Sequence, residues 1–156
     1  MQIIVEELRS LVREYSQKID DISIHNFYEK PNPAKWSKVE VLGHLVDSAQ
    51  NNLRRFICGQ YESTPPNILY QQDFWVEANN YRQAEKKDII QLWVLLNYRI
   101  ADILTSMPAS NYEKTCNTGK DTLELRTLEW LATDYVKHMK HHLNQILPGS
   151  FAVVYP

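Results

Sequence analysis

Apolar side chains recur at three- and four-residue steps in four long segments of the chain, with polar and charged residues between them. Such spacing places the apolar side chains on one face of an α-helix. The pattern predicts helices over about residues 3–22, 37–59, 86–107 and 127–147. Long amphipathic helices that share one core predict an all-α fold, a four-helix bundle, and we expect a single domain over residues 1–156.

Local signals mark where the predicted helices begin and end. The sequence SKVE forms a capping box, in which Ser37 and Glu40 satisfy each other's backbone amides and start the second helix. Thr127 is a suitable N-cap for the last helix, and Pro148 and Gly149 end it.

The connections between the predicted helices differ in character. Two prolines in FYEKPNPAKW interrupt the helical pattern between the first two helices. The next connection, about residues 60–83, is long, and we expect a short helical turn within it over Asp73–Ala78. The turn NTGK predicts a small hairpin between the segments KTC and LEL, and the apolar tail SFAVVYP is expected to pack back on the bundle.

Composition and charge exclude several classes of protein. The formal net charge is -2 and no run of Lys or Arg forms a basic stripe, which argues against a nucleic-acid partner. No window is apolar enough to span a membrane, and the charges within MQIIVEELRS argue against a signal peptide. Cys58 and Cys116 leave a disulfide open, but we interpret them as reduced thiols of a cytoplasmic protein.

Three of the five histidines lie in HMKHHLNQI, near the end of the last predicted helix. His138 and His142 are four residues apart, so their imidazoles lie on one face and can converge on one ion. His44, in the second predicted helix, is the candidate for a third ligand from across the bundle. The alternative is that these histidines are ordinary core residues, because such a pair also arises by chance.

Other polar residues are candidates for supporting such a site. Asp47 and Asp134 lie one turn from His44 and His138, so either carboxylate could accept a hydrogen bond from an imidazole N–H. Further along the second helix, a pocket could be lined by Arg55, Asn51 and Asn52.

Roles for the remaining candidates stay open on the sequence alone. Aromatic residues of the long connection either cap a pocket or pack in the core: Tyr70, Phe74, Trp75 and Tyr81. No general base is assigned, and three residues are candidates: His141, Glu40 and Tyr135. Both His141 and His25 are expected at the surface.

The segments KWSKVEVLGHLVDSAQNNLRRF and LRTLEWLATDYVKHMKHHLNQI resemble the DinB-like superfamily, which includes YfiT-type proteins thought to be metal-dependent hydrolases. The shared pattern is a tryptophan, a helix start and a histidine in the second helix, then H-x-x-x-H-x-x-Q-hydrophobic in the last. The matching residues are Trp36, Ser37, His44, His138, His142, Gln145 and Ile146.

This resemblance implies a four-helix bundle with a long connection between helices two and three. It also implies a divalent metal ion, zinc or nickel, bound by His44, His138 and His142. Members differ in reaction: some transfer low-molecular-weight thiols, others are isomerases or hydrolases, and many form dimers. The family often has glycine between its last histidine and the glutamine, where this chain has Leu143 and Asn144.

Two functional hypotheses follow. The first is a metal-dependent enzyme, either a hydrolase or a thiol S-transferase that acts on a small molecule, with a low-molecular-weight thiol as co-substrate in the second case. The second is a non-catalytic, dimeric bundle that binds a metal or a small ligand, such as a stress-response module. Under both hypotheses we expect a homodimer with neither a nucleic-acid nor a membrane partner.

Overall fold

A computed structural model describes residues 1–152 and residue 155. The four long helices are α1 (Gln2–Asp20), α3 (Lys38–Tyr61), α5 (Lys86–Ser106) and α6 (Leu128–Ile146). The shorter elements are α2 (Ile24–Tyr28), α4 (Gln72–Asn79), β1 (Thr115–Asn117) and β2 (Leu125–Thr127). The predicted four-helix class is confirmed, with each long helix ending within two residues of its predicted limits.

The long helices are not arranged in the order of the chain. α5 packs against both α1 and α3, and α6 also packs against both, so α1 and α3 lie on opposite corners of the bundle. The beginning of α3 lies beside the end of α6, where His44 contacts His142. The far end of α3 meets the beginning of α6, where Gly59 lies against Leu128. These two helices are therefore antiparallel neighbours.

The core confirms the predicted apolar stripes, and α3 is its central element. Leu42, Leu45, Trp93, Ile100 and Leu143 are almost completely buried. Apolar burial of this kind is the main favourable contribution to folding. The same helix α3 also buries polar side chains, which globular proteins do rarely unless those groups are hydrogen-bonded or functional. The buried polar residues of α3 are Glu40, His44, Asp47, Ser48, Asn51 and Asn52.

Helix ends are stabilised by side chains, largely as predicted. The Glu40 carboxylate accepts a hydrogen bond from the Ser37 amide, as the capping box of α3 requires, and a further one from the Ser37 hydroxyl. Thr127 caps α6 by accepting a hydrogen bond from the Trp130 amide. Lys86 donates to carbonyls at the end of α1, where a cation is favoured by the helix dipole.

The connections differ from the predictions in detail. Helix α2 was not predicted; it begins because the Ser23 side chain caps the amide of Asn26. Residues 62–85 join α3 to α5, and α4 extends the predicted turn by one residue at each end. The strands of the hairpin pair antiparallel and lie one and two residues beyond the segments KTC and LEL.

The C-terminal tail folds back against the bundle. The side chain of Asn144 donates to the carbonyl of Phe151 and accepts from its amide, which fixes the start of the tail to α6. The ring of Phe151 then packs 5.1 Å from that of Tyr15. The predicted packing is observed here, whereas residues 153, 154 and 156 of the tail lie outside the described residues.

Two features bear on the interpretations made from composition. Cys58 and Cys116 are both free thiols, as expected. None of the described helices combines the length and apolarity that crossing a membrane requires.

The ring of Tyr81 lies directly on the backbone of α3 at Gly43. A Cβ atom at Gly43 would lie 2.0 Å from Tyr81 Cδ2, far inside van der Waals contact. In an ordinary helix, replacing glycine by alanine stabilises by about 0.5–1 kcal/mol. We expect the opposite for Gly43→Ala, a loss of roughly 1–3 kcal/mol of unfolding free energy in urea titrations.

A double-mutant cycle provides the control for this prediction. In a Tyr81→Ala background the ring is gone, so adding the Gly43→Ala substitution should no longer cost stability. A stabilising effect of Gly43→Ala in the otherwise unchanged protein would contradict the steric explanation.

Candidate metal centre

Three imidazoles converge where α3 and α6 are packed together. The Nε2 atom of His138 lies 3.2 Å from that of His44 and 3.0 Å from that of His142. One nitrogen from each ring lies within 4.8 Å of the others, so the three side chains could hold a metal ion. These are the three residues that the sequence singled out. Their meeting depends on the four-residue step in α6 and on the antiparallel contact with α3.

Burial keeps the three rings neutral. It lowers the pKa of His44 to about 3, of His138 to about 2 and of His142 to about 4, and the neighbouring imidazoles add to the effect. A hydrogen bond from His142 to Gln145 acts in the opposite direction but does not cancel it. Neutral imidazole is the form that coordinates a metal, because one ring nitrogen then has a free lone pair.

Gln145 determines which nitrogen of His142 carries the proton. Its Oε1 lies 3.0 Å from Nδ1 of His142, and because a carbonyl oxygen can only accept, the proton is on Nδ1. The Nε2 atom of His142 therefore presents its lone pair to the cluster. On its other side, the Gln145 amide donates to Nε2 of His141 at 3.0 Å. Gln145 matched the family pattern, but its positioning role was not predicted.

The prediction that Asp47 or Asp134 orients an imidazole is wrong. Asp47 accepts hydrogen bonds from Tyr81 at 2.6 Å and from Asn79 at 3.1 Å, so it holds the connection that precedes α5. Burial raises the pKa of Asp47 to about 6, and the Tyr81 hydrogen bond opposes the shift. Asp134 accepts from the Tyr155 hydroxyl at 3.0 Å. Spacing along a helix could not reveal these partners, because they come from distant segments.

The donor atoms fit a divalent ion. A tetrahedral ion with metal–nitrogen bonds of about 2.0–2.1 Å separates its nitrogen ligands by about 3.3 Å. The observed spacings of 3.0 and 3.2 Å are close to that value. Within the described part of the chain, Nδ1 of His44 and of His138 are buried without a hydrogen-bond partner. Imidazole is a ligand that both zinc and nickel accept.

Aromatic rings surround the imidazole cluster. Trp36 lies 5.2 Å and Tyr70 6.4 Å from the ring of His44, between ring centres. Tyr155 lies 5.3 Å from the ring of His138. A cleft of about 880 Å³ opens beside the cluster and is lined in part by Trp36 and Gln145. The three imidazoles do not line this cleft themselves, but residues in contact with two of them do.

The aromatic residues of the long connection have different positions. Tyr70 lies at the imidazole cluster, and Trp75 packs 5.5 Å from it. Tyr81 is buried against α3, and Phe74 is largely exposed. Of the four residues considered for capping a pocket, Tyr70 is therefore the one in ring contact with a cluster histidine.

Two of the three candidate bases are occupied elsewhere. Glu40 is held by Ser37 and Lys30; burial alone would raise its pKa, but these hydrogen bonds lower it overall. Tyr135 donates to Asn97 in the core, where burial raises the pKa of its hydroxyl far above the ordinary value. His141 is half-buried, and its ring lies 4.9 Å from that of His142. The expected surface position holds for His25, which is exposed, but not fully for His141.

Comparison with known proteins assigns the family. A family model described as the DinB superfamily matches residues 5–146. The chain therefore belongs to the DinB superfamily, as the sequence motifs indicated. The match includes both helices that contribute to the imidazole cluster.

Individual relatives share a common description. YfiT of Bacillus subtilis (strain 168) is 25% identical over 143 residues, which cover 92% of this chain and 78% of YfiT. A protein of Bacillus cereus (strain AH820) is 25% identical over 142 residues, covering 91% and 80%. Both relatives are described as metal-dependent hydrolases, and for both this description is provisional.

Solved structures agree with the fold. The structure of YfiT from Bacillus subtilis superposes with a TM-score of 0.84 at 23% sequence identity. The match covers 93% of this chain and 82% of YfiT. That structure is described as a probable metal-dependent hydrolase with an unusual four-helix bundle topology. A mutant of the mycothiol-dependent maleylpyruvate isomerase has a TM-score of 0.75 at 8% identity. That match covers 98% of this chain and 61% of the isomerase. At these identities the likeness concerns the fold alone.

The role of Gln145 can be tested by substitution. Gln145→Leu removes the acceptor for Nδ1–H of His142, so the wrong tautomer becomes accessible. We expect zinc affinity to fall by about 10–100-fold, as is usual for residues that orient metal ligands. Gln145→Glu keeps an acceptor at the same place and serves as the matched control. Competition titrations with a zinc chelator provide the measurement, and equal affinities for all three proteins would contradict this role.

The stability of the metal-free protein should depend on these histidines below neutral pH. An unfolded histidine has a pKa of about 6.5, well above the folded values, so below that pH the unfolded state binds protons that the folded state does not. The free energy of unfolding therefore falls as the pH drops. We expect metal-free His138→Gln to show a shallower fall between about pH 6.5 and 5, by up to about 1.4 kcal/mol per pH unit.

Urea titrations at several pH values measure this difference. Asp47 acts in the opposite direction, because its pKa is raised, but it is present in both proteins and its effect cancels in the comparison. His25→Gln, at an exposed position, should leave the slope unchanged. The explanation fails if His138→Gln and His25→Gln behave alike.

Proposed function

We propose that this protein is a metal-dependent hydrolase acting on a small molecule, with one divalent ion held by His44, His138 and His142. The observation that carries the proposal is the convergence of three neutral imidazoles from two helices, with Nε2 spacings that suit one ion. The relatives described as metal-dependent hydrolases support the same reaction class. An ion of this kind supplies Lewis acidity at its site.

The chain's own residues would support the reaction in distinct ways. Gln145 holds the His142 proton on Nδ1 and so keeps Nε2 available as a ligand. Trp36 and Tyr70 cover His44 and limit the access of water from that side. His141 is the candidate for proton transfer, because it lies beside His142 whereas Glu40 and Tyr135 are engaged elsewhere. Its Nε2 accepts from Gln145, so its Nδ1 carries the proton.

Transfer of a low-molecular-weight thiol is the second candidate function. The likeness in fold to the mycothiol-dependent maleylpyruvate isomerase, over nearly the whole of this chain, favours testing it. Under this proposal the same three histidines hold the ion, and a thiol takes the place of water as the nucleophile. For both reactions we also propose that the protein is a homodimer and acts in the cytoplasm.

The proposal is tested first by metal content. Protein purified without a histidine tag should contain about one divalent ion per chain, as a site with three protein ligands predicts. His138→Ala should lose it, whereas His25→Ala, at a side chain that is 81% exposed, should retain it. A wild-type protein that neither retains nor takes up zinc or nickel would overturn the proposed site.

Activity assays then separate the reactions. Ester and amide substrates test hydrolysis, and thiols combined with electrophiles test transfer, each with His138→Ala as the inactive control. Turnover of the first panel supports the hydrolase, and turnover of the second alone supports thiol transfer. Metal binding without turnover in either panel would instead favour the non-catalytic binding module.

A further inference from the structure

The guanidinium of Arg55 is fixed in a half-buried position on α3, eleven residues after His44. Its Nε and Nη2 donate to the carbonyl of Ile68 at 3.1 and 2.6 Å, and its Nη1 donates to Oδ1 of Asn52 at 3.2 Å. These bonds hold the planar group in one orientation and attach it to the connection that follows α3. The charge is therefore preorganised rather than free to move in solvent.

This cation has unused hydrogen-bonding capacity. A guanidinium carries five N–H groups, and the three bonds to Ile68 and Asn52 leave two of them without an acceptor among residues 1–152 and 155. Over those same residues, no carboxylate lies within ion-pair distance of Arg55. Two N–H groups of this half-buried cation are therefore available to a ligand.

A line of polar residues connects Arg55 to the imidazole cluster. His44, Ser48, Asn52 and Arg55 follow one another along α3 at steps of four, four and three residues, which places them on one face. All four are buried or half-buried. An apolar helix face would be expected inside a bundle, so this polar face points to a bound polar molecule.

The opposite side of this region is formed by α6. Asp134 lies one turn before His138, and Tyr155, whose hydroxyl donates to Asp134, lies against the ring of His138. The contact between α3 and α6 runs from His44 and His142 at one end to Gly59 and Leu128 at the other. Phe56 lies 6.4 Å from Tyr135 between these ends, so the part of α3 that carries Arg55 faces the part of α6 that carries Asp134. Arg55 and the imidazole cluster therefore belong to one region between α3 and α6.

We propose that Arg55 anchors a carboxylate group of the substrate whose other end reacts at the three histidines. This inference rests on the proposed function and specifies its substrate class. Two free N–H groups match the two oxygens of a carboxylate. Asp134, on the facing part of α6 and outside ion-pair distance, reduces the positive charge of the region, so a monoanion fits better than a dianionic phosphate.

The position of Arg55 also sets the length of the ligand. Its bond to Asn52 shows that the side chain reaches back toward the start of α3, as helical side chains do. The guanidinium is then at the level of residues 51–52, and eight residues separate residue 44 from residue 52. At 1.5 Å per residue this is about 12 Å along the helix axis, and the ring of His44, which also leans toward the start of α3, lengthens the span further. The substrate is thus an elongated carboxylate, longer than acetate or malonate.

The test uses hydroxamates of different length with zinc-loaded protein and isothermal titration calorimetry. Acetohydroxamate can reach only the metal, whereas suberic acid monohydroxamate also carries a carboxylate at its far end. We expect Arg55→Met to weaken binding of the long probe by about 10–100-fold and to leave acetohydroxamate binding unchanged. Arg54→Met, at the exposed neighbouring position, should affect neither probe.

Two results would overturn the proposal. Unchanged affinity of Arg55→Met for the long probe would show that no carboxylate binds there. An equal loss for both probes would show that Arg55 only holds the connection in place. Arg55→Lys keeps the charge without the planar fork, so an intermediate affinity for the long probe with normal acetohydroxamate binding supports the anchor.

The failure of the metal site is distinguishable from the failure of the anchor. If acetohydroxamate does not bind the wild-type protein, the proposed metal centre is wrong. Arg55 is then assessed with suberate and metal-free protein. A weaker affinity in Arg55→Met but not in Arg54→Met supports the carboxylate anchor, and equal affinities overturn it.

Discussion

The antiparallel contact between α3 and α6 is the constraint on which the candidate site depends. It brings one imidazole from the start of α3 against two from the end of α6. Water is largely removed from the three rings, and this keeps them neutral. The burial that keeps these rings neutral, and so able to hold a metal ion, is also costly for the fold, because their N–H groups need partners.

The long connection stabilises this contact from outside the bundle. Tyr81 lies on α3 at Gly43, one residue before His44, and its hydroxyl reaches Asp47 one turn later. Because glycine has no side chain, the ring can approach the helix backbone closely. The connection is thus attached immediately behind a cluster histidine. Residues far from the imidazole nitrogens therefore help to fix the position of His44.

Much of the fold and the histidine cluster could be predicted because both follow from local periodicity. The apolar steps define the four long helices, and the four-residue step puts His138 and His142 on one face. The capping signals at Ser37 and Thr127 were also informative, since caps act within a few residues. His44 was the candidate third ligand because it lies in the second predicted helix beside an apolar stripe, and the resemblance to a family implied the same residue.

The features that sequence reasoning missed depend on the path of the chain in three dimensions. Asp47 is one turn from His44, yet it faces Tyr81, which comes from a connection whose path no local signal gives. Gln145 is three residues from His142, so spacing places its amide within reach of that ring, whereas only carboxylates had been predicted as partners of the imidazoles. Helix α2 is a single capped turn, too short to show a period.

The order of the helices has a consequence for how the protein matures. His44 and His138 are separated by 94 positions in the chain, so their meeting closes a very large loop. The three rings meet only when α6 is packed against α3, and the entropic cost of closing this loop opposes that contact. An ion bound there would act as a reversible crosslink between the early and late parts of the chain. Metal occupancy would then report that synthesis and assembly of the whole bundle are complete.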